Sequence, residues 1–373
     1  MSKEYIREVL SSDPLALKRF VTLVHEVMAS HPLFYSELDS DVLRQLSGKS
    51  SFFRDMRYAL FIASNGAHDV ARCAALINPQ YQHAKNEPVG FIGYFAAAPG
   101  YEPQVEMMLE NAEAWLSNRG VTRIIAPYNG SVFLGSLGLR TNAFDEEPAY
   151  PFGWHPPYYA DYFKDSGYTP TYPLLSYVID FSSERYHSMV QRAFDTTQVR
   201  VRAIEKRTWN NDLETVRWLL NETFTEEWEH CPTTSDQFHE ILDSLKPILD
   251  TRQTLIAEVD DNPAGFCWGM PDWSPLFRPL KGKLGPRQII KLLLGSGHYL
   301  RAGLIMIGVL PDQRGKGVAR KLAAALFRRY EQKGLEKSLY HLVNENNTVS
   351  RLFAESMGGK GRVIYHVYDK KLN

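Results

Sequence analysis

Residues 305–334, IMIGVLPDQRGKGVARKLAAALFRRYEQKG, restrict the fold more than any other stretch of the chain. An apolar run of strand length, LIMIGV, ends in a loop of small and basic residues and passes directly into a segment of helical period. Ala319, Leu322, Ala323, Leu326, Phe327 and Tyr330 recur at the spacing of one helical face, while Arg320, Lys321, Arg328, Arg329 and Lys333 fall off it. Gly334 supplies a natural stop. A strand apolar throughout belongs in the middle of a sheet, and Gly308 inside it marks a bulge or a close backbone approach.

The same order of signals occurs twice. In the first half it reads IREVL, LALKRFVTLVHEVM, YALFIAS, ARCAALI, VGFIGYFAA, EMMLENAEAWLSNRG and TRIIAPY; in the second, VRVRAIE, LETVRWLLNETF, TLIAEV, AGFCWGM, LIMIGVLP, the long helix and KSLYHLV. Two copies of one α+β unit account for this economically. The junction is expected in SSERYHSMVQRAFDTTQ, giving a first domain 1–182, a linker 183–197 and a second domain 198–373. With 373 residues, 44% of them hydrophobic, the chain can bury two ordinary cores.

Other bulk features narrow the class. MSKEYIREVL lacks the pattern of a secretory leader, and no run reaches the roughly 18 to 20 apolar residues of a spanning helix, so a cytoplasmic location with no membrane partner is expected. Cys73, Cys231 and Cys267 fit no zinc spacing, His155 has no partner at metal-ligand spacing, and no metal is expected. Residues 1–182 carry 14 Lys+Arg against 20 Asp+Glu, whereas residues 183–373 carry 28 against 23, so the second half is the better home for an anionic ligand.

The loop RGKGVA suits such a ligand. Gly315 and Gly317 remove Cβ atoms where the backbone turns, letting successive N–H groups point outward at the positive end of a helix dipole. A Walker loop would need Lys-Ser/Thr after its last glycine, and a dinucleotide fingerprint a third glycine and a downstream acid; neither is present. Arg314-x-x-Gly317-x-Ala319 instead resembles the pyrophosphate loop of the GNAT superfamily of acyl-coenzyme A-dependent N-acyltransferases. NENNTVSRLFAESMGGK is similar to the same family's N-x-x-A/S segment, with Asn347 and Ser350 at its polar positions and Met357 and Gly358 at its turn. Gly359 replaces the family's aromatic, and Ala354 stands where many members carry a tyrosine that protonates the leaving thiolate. Over nearly all its length the chain also resembles a group of bacterial tandem-GNAT proteins, in PVGFIGYFAA, AEAWLSNRGV, APYNGS and HPPYYADYFKDSGY.

The resemblance implies two tandem GNAT-like domains, each a mixed, mostly antiparallel sheet flanked by helices. It implies acetyl-CoA or another acyl-CoA as co-substrate, held by the main chain of Ile307, Gly308, Val309 and Leu310, by Arg314, Gly315, Lys316, Gly317, Val318, Ala319 and Arg320, and by Asn347 and Ser350. The reaction would be direct attack of a small amine on the thioester, with acetyl as the simplest acyl group and no nucleic acid as partner; oligomeric state is left open. The first half has no such loop, and Glu102, Glu106, Glu110 and Glu113 stand in and after its junction, where they would repel a pyrophosphate; this copy is expected to be degenerate.

Catalytic groups are harder to place. LIMIGV carries no acid, while FTEEWEHCP offers Glu226, Glu227, Glu229 and His230; Glu227 and Glu229 are taken as candidate bases against the plainer reading of a solvated helix end, and Tyr365 as a candidate acid. Asp272 is a further acid that could equally cap a turn. The nine aromatics of YPFGWHPPYYADYFKDSGYTPTY read as core packing before pocket lining. RPLKGKLGPRQIIKLLLGSGHYLR reads as an ordered insertion covering the cleft, with a lipid or nucleic-acid surface as the other reading. A non-catalytic acyl-CoA sensor and an aminoacyl-tRNA-dependent transferase are the competing functional classes.

Overall fold

A computed structural model describes residues 5–246, 248–295 and 298–372. In chain order the elements are β1 (Tyr5–Val9), α1 (Pro14–Val27), α2 (Asp39–Leu46), β2 (Arg57–Ser64), β3 (Asp69–Ile77), α3 (Pro79–Lys85), β4 (Val89–Ala97), α4 (Glu102–Ser117), β5 (Arg123–Ala126), β6 (Leu139–Arg140), α5 (Tyr158–Asp165) and β7 (Thr169–Asp180). They continue with α6 (Glu184–Phe194), β8 (Val199–Ala203), α7 (Trp209–Thr223), α8 (Ser235–Leu245), β9 (Thr254–Val259), β10 (Asn262–Pro271), α9 (Ser274–Phe277), α10 (Pro286–Gly295), β11 (Ala302–Val309), α11 (Val318–Gln332), β12 (Lys337–Asn344), α12 (Thr348–Ser356) and β13 (Lys360–Lys371).

Two compact units result, and their boundaries differ from the expected division. The first holds residues through Pro173 together with Ser274–Ile290 and Tyr365–Asn373; the second holds Leu174–Trp273 and Lys291–Ile364. Within the first, the strands run in the order β1-β2-β3-β4-β5 and then the Tyr365–Lys371 portion of β13; within the second, β8-β9-β10-β11-β12 and then β7. Each unit is a mixed sheet whose pairs β4/β5 and β11/β12 are parallel and whose other paired neighbours are antiparallel. The repeat is therefore real, but the first sheet is completed by β13 from the far end of the chain and the second by β7, which precedes β8 in sequence yet lies beside β12, pairings that no local signal could show.

Residues 183–197 are not a free linker. They form α6, whose Tyr186, Met189 and Ala193 are buried in the core of the second unit with Leu322, Leu326 and Phe327 of α11. Tyr186 Oη donates to Glu331 at 2.6 Å, and Lys321 Nζ donates to the Thr196 carbonyl at 2.9 Å. The amphipathic spacing of α6 makes this docking the cheapest way to bury its apolar face.

The insertion also departs from its expected place. Residues 274–290 belong to the first unit, where Ser274 Oγ donates to the Pro148 carbonyl at 3.0 Å, Phe277 stacks on Tyr150 at 5.0 Å, and Arg278 pairs with Glu147 at 2.9 Å. Cys73 and Cys267 are buried thiols, and none of the three cysteines is in a disulfide.

Candidate active site

In the second unit two parallel strands separate. β11 and β12 pair at Gly303↔Leu339 and Leu304↔Tyr340 only. On its other side β11 stays paired with β10 through Gly265↔Val309, with one residue, Ile305, skipped opposite Trp268 and Gly269. Of the two readings of Gly308, bulge or close approach, the bulge lies instead at Ile305. Gly308 is glycine because a Cβ there would meet Thr223 Oγ1 of α7 at 2.2 Å.

Hydrogen-bond alternation says which amides face the gap. Leu310 N–H donates to the Ala264 carbonyl at 3.0 Å, so Phe266 and Gly308, two residues along each strand, form the next hydrogen-bonded pair. Ile307 and Val309 then aim their N–H and C=O away from β10, toward the edge that β12 has left. Of the four residues expected to offer main-chain donors, Ile307 and Val309 have them available, whereas the amides of Gly308 and Leu310 serve the sheet.

At the end of this edge the chain makes a short 3-10 turn over Pro311–Gln313 and reaches Arg314. Gly315 and Gly317 adopt φ of +81° and +82°, left-handed values that L-residues rarely enter without strain. A Cβ on Gly317 would also lie 3.1 Å from Thr196 Oγ1, while the surroundings of Gly315 are open. Gly317 caps α11 without a side chain, and the first amide to find an intrahelical partner is Lys321, donating to the Gly317 carbonyl. Among the described residues, the amides of Gly315, Gly317, Val318, Ala319 and Arg320 have no internal acceptor. Arg314 and Lys316 are exposed beside them, and α11 has no acid in its first turn. The result is a cationic nest at the head of a 15-residue helix, matched to a multiply charged anion.

Asn347 and Ser350 are brought to the head of α12, where each has an internal role. Asn347 Oδ1 accepts from Ser350 N–H at 2.9 Å, its Nδ2 donates to Glu227, and Ser350 Oγ lies 2.6 Å from Tyr340 Oη. Glu227 is therefore held to α12, 120 residues away, rather than standing on a solvated helix end. Glu229 is half-buried in the same segment, and Glu226 is exposed. His230 is buried with its ring 5.9 Å from that of Phe224, which lies 6.3 Å from Phe266 of β10. Asp272 is buried and ion-paired with Arg301.

Tyr365 belongs to the first unit. It pairs in register with Arg140, donates its hydroxyl to the Gly153 carbonyl at 3.3 Å, and is pushed up to about 12 by burial. Ala354 is fully buried, and Gly359 is glycine because a Cβ would lie 2.7 Å from the Ala354 carbonyl. Among the described residues no group of three or more His, Cys, Asp or Glu could hold a metal.

His341 is the residue that the sequence did not single out. It follows Tyr340, the last residue of β12 paired with β11, and lies in the irregular step of the β12/β7 pairing where Leu342 takes φ +48°. Its ring is buried against Gly303, whose Cβ would meet it at 2.6 Å, and its Nδ1 lies 3.3 Å from Ser176 Oγ. Burial, then the Arg301 charge, lowers its pKa to about 3, so the imidazole at the apex of the gap is neutral. Only a glycine at 303 on the neighbouring strand hinted at a ring on β12 needing room.

Residues 213–358 match the family model described as Acetyltransferase (GNAT) family. The second unit is a GNAT domain. The chain as a whole has the tandem GNAT fold: it superposes on the tandem GNAT protein from the clavulanic acid biosynthesis pathway with a TM-score of 0.56 at 10% identity, covering 99% of this chain and 98% of that one. The chain also aligns with a protein named bacterial ceramide synthase from Caulobacter vibrioides (strain NA1000 / CB15N), 29% identical over 96% of each chain. Protein YghO of Escherichia coli (strain K12) is 24% identical over 95% of this chain and 93% of its own. In the GNAT domain the open edge of β11 and the cationic nest lie in one continuous run of main chain, from Ile305 to the head of α11.

Proposed function

We propose that the protein is an acyl-CoA-dependent N-acyltransferase whose working site is the second unit. The observation that carries this reading is the set of uncommitted amides at Gly315 and from Gly317 to Arg320, placed where the open edge of β11 ends. A coenzyme A diphosphate is the ligand this nest suits, with Arg314 and Lys316 adding charge. Ile307 and Val309 would hold the pantetheine arm by main-chain hydrogen bonds and orient the thioester carbonyl for an attacking amine.

The amine must lose a proton. Glu227 and Glu229 are the proposed acceptors, with Glu227 fixed by Asn347 and therefore the better positioned of the two. Tyr365 spends its hydroxyl on the Gly153 carbonyl within the first unit, so acting as the acid for the thiolate would require that bond to break. Acetyl transfer to a small amine is the simplest version of the reaction. The relative named bacterial ceramide synthase favours a second version, because a ceramide is a fatty amide of a long-chain amino alcohol. The half-buried ring of Phe224, which lies 6.3 Å from the buried Phe266 and opens the Glu227 segment, suits an apolar acceptor.

Calorimetric titration with acetyl-CoA and palmitoyl-CoA, followed by thiol release over a panel of short amines and long-chain amino alcohols, tests both versions. Binding without thiol release on any amine would favour a sensor. No binding of either thioester would remove the reading.

A further inference from the structure

Helix α10 exposes an apolar face. Ile289, Ile290, Leu293 and Leu294 are 41%, 57%, 47% and 72% exposed, while Leu292 is buried on the opposite side. At 100° per residue the four exposed side chains cover an arc of roughly 140°, and Arg287 and Lys291 run along one border of it. Among the described residues, other large exposed apolar side chains are scattered, as at Leu10, Leu15 and Val349; only here do four stand on one helix.

Along the chain, the charge flanking this face has one sign, and the acids that the structure brings to the segment, Asp39 at Gly282 and Glu147 at Arg278, lie before the exposed helix face. Between Asp272 and Asp312 the chain contains no acidic residue and six basic ones, Arg278, Lys281, Lys283, Arg287, Lys291 and Arg301. Arg278 and Arg301 are spent on Glu147 and Asp272, whereas Lys281, Lys283, Arg287 and Lys291 are exposed. A helix that buries one leucine and turns out four is poorly explained as a core element, and a second protein chain has no need of an acid-free flank.

We propose that α10 and the basic segment preceding it form an interfacial docking surface for an anionic phospholipid bilayer. The isoleucines and leucines would enter the boundary between headgroups and acyl chains, and Lys281, Lys283, Arg287 and Lys291 would pair with lipid phosphates. The helix is ten residues long and lies on the surface without crossing it. This surface is independent of the proposed reaction: binding to vesicles reads it out whether or not any amine is acylated.

Flotation of the full chain with vesicles of phosphatidylcholine, and of phosphatidylcholine with roughly one-third phosphatidylglycerol, tests it. Binding is expected with the anionic vesicles alone, weakening as salt is raised. Ile290→Asp/Leu294→Asp should reduce the bound fraction by about tenfold or more. Arg287→Gln/Lys291→Gln should weaken partitioning by about fivefold for each residue removed. All four positions are exposed, so both variants should melt like the parent. Absence of binding by the parent, equal binding to both vesicle types, or binding unchanged in both variants would overturn the proposal. A dimer that Ile290→Asp/Leu294→Asp converts to monomer would reassign the face to a second copy of the chain and overturn it as well.

Discussion

In both units a pair of parallel strands separates at the same point of the same strand order, and only one unit leaves the gap open. In the second unit β12 turns away after Tyr340 and, among the described residues, the β11 edge has no strand beyond it. In the first, β4 and β5 pair through Phe91↔Ile125, and the chain then fills the space they would leave. Tyr128 N–H donates to the Ile92 carbonyl at 2.9 Å, Asn129 Oδ1 accepts from Tyr94 N–H at 2.8 Å, and Asn129 Nδ2 donates to the Leu134 carbonyl at 2.6 Å. Gly93 is glycine for this reason, since a Cβ would meet Asn129 Oδ1 at 2.4 Å. At the strand end, where the second unit has its nest, Ala97 N–H donates to Tyr159 Oη, and the Ala97 and Ala98 carbonyls accept from Tyr158 and Tyr162. Backbone groups that a ligand would satisfy in one unit are satisfied by side chains in the other. The same fold leaves this edge open or fills it according to which side chains complete its hydrogen bonds.

The sharpest way to break this comparison is to change the charge at each helix head. Gly317→Glu should abolish acyl-CoA binding, a loss of more than about 100-fold in calorimetry, since it combines backbone strain, a clash with Thr196 and charge repulsion. Glu102→Lys, which removes an acid at the head of α4, should leave the same affinity unchanged; a tighter complex would mean that the first unit contributes to binding.

Glu227→Gln keeps an oxygen for Asn347 while removing the charge. If Glu227 is the base, kcat should fall by about 100-fold with KM for acyl-CoA little changed. A fall below about threefold would leave it an anchor of the segment. Asn129→Ala should cost about 2–4 kcal/mol in urea denaturation by orphaning the Tyr94 amide and the Leu134 carbonyl, without creating a second acyl-CoA site.

Per pH unit, the smallest expected effect is that of acidification. His341 is held neutral, with its pKa lowered to about 3. As the pH falls below the ordinary histidine value near 6.5 the unfolded chain takes up a proton and the folded chain does not, so its contribution is complete above that value and is lost on acidification toward pH 3. Stability should drop on the order of 1.4 kcal/mol per pH unit from this group, and His341→Gln should remove that slope between neutral pH and mildly acid conditions.

Much of the nest was legible because its requirements are local. Two left-handed dihedrals, a basic flank and a helix of regular period are all encoded within residues 305–334. That the first half carries no R-x-x-G-x-G/A pattern is a local fact of the same kind. APYNGS and HPPYYADYF could be read only as turn and core, because filling the first gap depends on Asn129, Tyr158, Tyr159 and Tyr162 meeting a strand that lies 35 to 65 positions earlier. Glu227 was visible as an acid, but its tie to Asn347 was not. Residues 183–197 looked like a linker because their buried side had no partner in the sequence until α11 supplied one.

By itself, then, the chain's order of residues determined the repeated α+β unit, the conformation of the Gly315–Gly317 turn and the charge of its surroundings, since each depends on neighbours within a few turns of backbone. Tertiary structure decided which gap stays open, which strand closes each sheet, and where His341 and α10 stand. Those outcomes follow from pairing register and from side chains contributed by distant segments, where a single residue of offset changes which amides meet a partner.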